Sequence, residues 1–145
     1  MGFWPKPRSE SGAAAVEMAL LAPFLILVLL GAIDFGWLFA EHLDARHGAR
    51  EAGRLAATNN NGWDTSTIVA NACLFMDNQV GAAFSISSGP NVGDDISVVV
   101  ERPAQTMTGL LDWAVPDSLT LTGTATFRLE TAKTWTNTSS PAACP

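Results

Sequence analysis

Basic residues are scarce in this 145-residue chain: 8 Lys and Arg stand against 14 Asp and Glu, a formal charge of −6. A protein that neutralises nucleic-acid phosphates needs a basic face, so no nucleic-acid partner is expected. Cysteine and histidine are scarcer, with 2 of each. That is too few soft ligands for a closed zinc site, and neither a metal nor a cofactor is expected. A disulfide-dense scaffold is excluded by the same count. There is no G-x-S-x-G, H-E-x-x-H, P-loop or Rossmann glycine pattern. In the outer part the acids stand singly except Asp94-Asp95, which sit in a turn signal with too few oxygen ligands for calcium. No catalytic constellation emerges, and the chain reads as a structural subunit rather than an enzyme. What it has in quantity is apolar surface: 48% of residues are hydrophobic and only 15% charged.

That apolar content is concentrated near the N-terminus. Met18 to Ile33 carries no charge, Asp34 interrupts, and Phe35 to Ala40 resumes the run. Taken as one helix, Met18–Ala40 is roughly 34 Å long at about 1.5 Å per residue. A hydrocarbon layer is roughly 30 Å thick, so the segment can span it. Lys6 and Arg8 precede the run and Glu41 and Asp44 follow it. The positive-inside rule then puts the N-terminus in the cytoplasm and the C-terminus outside. A cleaved secretory signal is the competing reading, but the run leads into Ala32-Ile33-Asp34-Phe35-Gly36-Trp37 without a small-x-small cleavage pair. Asp34 is costly at bilayer depth. It is either solvated near the outer interface or engaged in an interface of its own.

Ahead of the span lies Gly12-Ala13-Ala14-Ala15-Val16-Glu17, placed between a basic leader and the apolar helix. This arrangement resembles the type IV prepilin processing site. Gly12 to Ala57 more closely resembles the N-terminal region of TadE-like proteins, the pseudopilins of tight-adherence (Flp-type) pili. The shared features are that motif, the apolar run with Pro23, Asp34-Phe35-Gly36, and Ala49-Arg50-Glu51-Ala52-Gly53-Arg54. The resemblance implies cleavage between Gly12 and Ala13 by a prepilin peptidase. It also implies a single-pass protein of the bacterial inner membrane, partnered by other Tad pilus subunits and assembly-platform proteins and available for incorporation into an extracellular pilus. In type IV pilins the glutamate at the position of Glu17 neutralises the new N-terminal amine of a neighbouring subunit. An amine and a carboxylate in an apolar bundle do relieve each other's desolvation.

Beyond the span the pattern predicts an α+β protein: a long membrane-spanning helix continuing into a stalk, a second helix, and a three-stranded antiparallel sheet. The boundaries are a leader over 1–12, the transmembrane and stalk helix over 13–58, an extracytoplasmic domain over 63–132, and an irregular tail over 133–145. Arg46, Arg50 and Arg54 recur every four residues, which reads first as a solvated stripe and second as an interface to acids of the domain or of another subunit. Asn59 to Gly62 closes the helix. Thr65 or Ser66 offers an N-cap for a second helix through about Asn78, with Ile68, Val69, Ala72, Phe75 and Met76 on one face. From residue 82 the period becomes 2. Ala82-Phe84-Ile86, Ile96-Val98-Val100, and Leu119 through Leu129 in steps of two point to a core, with threonines on the wet face of the last strand. Met107, Leu110, Leu111 and Ala114 suggest a helical turn between the last two strands.

Cys73 and Cys144 both fall outside the membrane, where an even pair reads as a disulfide. A catalytic cysteine is the rival, and its only candidate histidines, His42 and His47, lie on the stalk. Three functional classes follow: a TadE-like minor pilin, a membrane-tethered extracytoplasmic binding module without a pilus role, and a small exported enzyme. Processing after Gly12 separates the first from the second, because a mere anchor needs none.

Overall fold

The structure, a computed structural model, describes residues 11–59, 61–109, 112, 115–116, 118–138 and 140–145. Its first element is helix α1, Ser11–Ala57, an unbroken rod of 47 residues that joins the apolar run to the stalk. Pro23 lies inside it. A proline removes one backbone donor.

The two ends of α1 differ in burial. From Gly12 to Ile33 the side chains stand clear of the rest of the molecule, with Leu20 75% and Phe24 65% exposed. From Asp34 onward one face turns inward. Ala45, Ala49, Ala52 and Ala56 recur at helical spacing and are buried without remainder. Small side chains on that face let the helix lie almost against the sheet. The approach is closest at Gly123, where a Cβ would come within 2.4 Å of the carbonyl carbon of Ala45.

The sheet contains four strands: β1 Ala83–Ser88, β2 Asp95–Pro103, β3 Thr120–Arg128 and β4 Ala142–Ala143. They are antiparallel neighbours in the order β3-β2-β1-β4. The three-stranded expectation is therefore corrected. The fourth strand is a two-residue piece of the tail, too short to carry an alternation, and it pairs Ala142 with Phe84 and Ala143 with Ala83. In the three longer strands the alternation decides the faces. Phe84, Ile86, Ile96, Val98 and Val100 are buried, while Thr120, Thr122, Thr124 and Thr126 are exposed. On the inner face of β3, Gly123 is buried and Ala125 and Phe127 are partly covered.

Helix α2, Thr65–Cys73, closes the core beside α1 with Ile68, Val69 and Ala72. Its N-cap is Asp64 rather than Thr65 or Ser66: the carboxylate accepts from the Thr67 N–H at 2.9 Å. Gly62, at φ +68°, supplies the left-handed step between the two helices. The second helix stops at Cys73, short of Asn78. Past that point the chain turns so that the Asp77 and Asn78 N–H groups both meet the carboxylate of Asp44. Of the residues expected to form a helical turn after β2, Met107 lies in a bend, and Leu110, Leu111 and Ala114 lie outside the described residues.

The tail also contributes to the core. Trp135 is buried and donates from Nε1 to the Ala56 carbonyl at 3.3 Å. Thr138 exchanges bonds with Ile86, and the Cys144 N–H donates to the Ala82 carbonyl.

Candidate functional site

The segment Gly12-Ala13-Ala14-Ala15-Val16-Glu17 is the exposed start of α1. Gly12 and Ala13 lie in its first turn, and a side chain added at Gly12 would meet nothing within 4 Å. Glu17 follows one turn later, exposed between Val16 and Met18, which are 61% and 58% exposed. The leader residues Lys6 and Arg8 lie outside the described residues. An apolar surface of this extent left facing water is a surface awaiting a cover. The helix is long and apolar enough to cross a membrane.

At Asp34 the environment inverts. This acid is fully buried, and its carboxylate accepts from the N–H groups of Met107 and Thr108 at 3.1 and 2.8 Å. The Thr108 hydroxyl donates to it as well, at 2.6 Å. Several donors on one carboxylate meet the cost of burying it. The side chain thus pins the turn after β2 to the helix, one residue past the apolar run.

Two turns farther on, Glu41 and Asp44 point the same way and meet Arg102 from the end of β2. The guanidinium donates from Nη2 to Glu41 Oε1 at 3.1 Å and from Nη1 to Asp44 Oδ2 at 3.3 Å. All three side chains are at least nine-tenths buried. The Asn78 side-chain amide donates to the same Glu41 oxygen, and the Asn78 carbonyl accepts from Arg102. Charge complementarity here fixes where α1 lies along the sheet, since an i, i+3 pair on the helix must meet one arginine on one strand. Sequence reading missed Arg102 because its partners are 58 and 61 residues away. The available signal was an arginine at the end of a strand whose alternate positions are apolar.

The arginine stripe lies on the opposite, solvent-facing side. Arg46, Arg50 and Arg54 are exposed. Arg50 donates to the Arg46 carbonyl at 3.2 Å. Arg54 pairs with Glu51 on its own helix, and that hydrogen bond and charge raise its pKa. Cys73 and Cys144 form a disulfide that ties the tail to α2 across a sequence separation of 71. A loop of that size is worth about 4 kcal/mol in the chain-entropy account. Among the described residues no three His, Cys, Asp or Glu side chains gather to hold a metal.

Fold and geometry together define a class: a small α+β domain carried on a single apolar anchor helix. Residues 12–54 match the family described as TadE-like protein, the stretch on which the sequence resemblance rests. The match covers Gly12 to Glu17, the apolar segment and the docked half of α1 through Arg54. No curated protein and no solved structure matches the chain.

Proposed function

We propose that this chain is a structural pseudopilin of a Tad-type pilus, not an enzyme. A prepilin peptidase cuts it between Gly12 and Ala13, and α1 then holds it in the inner membrane with the domain outside. The observation that carries the reading is the family match over residues 12–54, joined to a helix whose first half the rest of the chain leaves uncovered. A helix that is only an anchor has no use for a glycine, three alanines, a valine and a glutamate at its inner end. A helix that enters a bundle of other helices does.

The chemistry of assembly follows from the processed end. Cleavage leaves an amine on Ala13, and Glu17 lies one helical turn on. In a lone subunit headgroups and water solvate both. Packed among neighbouring helices they lose that solvation, and an amine from a subunit displaced along the axis restores neutrality at Glu17. Leaving one partner of a well-buried pair alone costs about 3–5 kcal/mol.

Glu17→Gln therefore leaves cleavage and membrane insertion intact and impairs co-purification with other pilus components. Normal incorporation of the cleaved variant would reduce Glu17 to an interfacial residue and remove the assembly role.

A further inference from the structure

We propose that the turn after β2, led by Met107, rests in the outer face of the lipid bilayer, so that the domain sits flush on the membrane instead of standing off on a stalk. The proposal rests on reading α1 as a membrane anchor and adds to it a second, separate contact.

The first premise is length. Gly12–Ile33, which the described residues leave unburied, is about 33 Å long at about 1.5 Å per residue. A hydrocarbon layer of roughly 30 Å, started just past Glu17 so that its carboxylate stays with the inner headgroups, ends within about one helical turn of Asp34.

The second premise is that Asp34 is also where the domain grips the helix. Its carboxylate holds the Met107 and Thr108 N–H groups and the Thr108 hydroxyl. The turn is thereby fixed at the level where hydrocarbon gives way to headgroups. At that level Met107 is 64% exposed. On the helix Phe35 and Phe39 are 71% and 65% exposed, and Trp37 is 39% exposed. Trp37 is an aromatic of the kind found at membrane interfaces, and Phe35 and Phe39 flank it with exposed apolar surface.

The third premise concerns the occupant. Among the described residues of the turn Met107 is the exposed large apolar side chain, and the bilayer that covers the helix covers it too. No Lys or Arg occurs between Arg102 and Arg128. The contact therefore lacks the electrostatic pull toward anionic headgroups that basic segments show. It should persist whether or not the lipid carries charge.

The test uses the full chain in vesicles of phosphatidylethanolamine and phosphatidylglycerol. Met107→Cys, Val92→Cys and Phe24→Cys are made one at a time and labelled with an environment-sensitive fluorophore. The native cysteines are paired with each other and stay unlabelled. Val92, 61% exposed, lies in the turn between β1 and β2, at the end of the sheet away from Asp34. Lipids carrying a nitroxide near the glycerol end of the chain should quench the label at 107 several-fold more than the label at 92, and equally with and without phosphatidylglycerol. Quenching at 24 together with equal, weak quenching at 107 and 92 would overturn the flush seating while leaving the anchor standing. With the nitroxide moved to the methyl end of the acyl chain, absence of quenching at 24 would overturn the anchor and this inference together.

Discussion

The two halves of α1 are one helix with two unrelated environments. Gly12–Ile33 is apolar on nearly every side apart from Glu17, and among the described residues none buries it. Asp34–Ala57 has one small-residue face pressed on the sheet and one charged face in solvent. Acidic residues mark the change in opposite senses. Glu17 in the first half is exposed. Asp34, Glu41 and Asp44 in the second are buried and bonded to the domain. The contrast teaches that the helix is not an anchor followed by a free stalk. Its outer half is a structural layer of the domain, and only its inner half has no packing role in it.

If that division is right, substitutions in the outer half act on stability and those in the inner half do not. The largest effect is expected at Arg102. Arg102→Met leaves Glu41 and Asp44 buried without their cation, at a cost of about 3–5 kcal/mol. Chemical unfolding in detergent micelles should show the loss. An unchanged midpoint would mean that the outer half of α1 does not depend on this cluster for its seat.

A pair of glycines sharpens the comparison. Gly123→Ala forces a methyl group into the backbone of Ala45 and Arg46, where helix and sheet cannot both stay in place. Overpacking of this kind costs about 1–3 kcal/mol. Gly31 has open space around it in the uncovered half. Gly31→Ala should leave the same unfolding midpoint within about 0.5 kcal/mol of the parent. Equal losses from the two would erase the distinction between the halves.

The smallest effect is a pH dependence at the start of α2. Hydrogen bonds from Thr67, side chain first and then backbone, and from Ser66 hold the Asp64 carboxyl below its ordinary range. Its folded pKa lies below its unfolded value. The stabilisation is therefore complete above the unfolded carboxylate range and is lost as pH falls through the depressed folded value. Asp64→Ala should give a slightly less stable protein whose stability changes less on acidification. An unchanged acid limb would show that the cap contributes nothing.

What the sequence could show was whatever has a local pattern. The uncharged run, the glycine–glutamate spacing and the period-2 alternation of Phe84-Ile86, Ile96-Val98-Val100 and the threonines of β3 all sit within a few neighbouring residues. The features that escaped depend on distant partners. Arg102 reads as a polar strand end until Glu41 and Asp44 are brought to it. Asp34 reads as an acid either solvated at the outer interface or engaged in an interface, and its partner cannot be read because its donors lie 73 and 74 residues away. The Ala142–Ala143 strand has no periodicity to read, and the end of α2 is set by Asp44 capturing the Asp77 and Asn78 amides rather than by any helix-stop residue. The N-cap is Asp64 rather than Thr65 or Ser66, because the carboxylate of Asp64 reaches the Thr67 amide.

The central claim, a processed pseudopilin with its inner helix free for assembly, meets its most direct test in the N-terminus of the protein extracted from membranes. Edman sequencing or intact mass should find a chain beginning at Ala13, and Gly12→Val should abolish that species. A membrane-extracted protein that still begins with the leader, in cells with an active prepilin peptidase, would contradict it.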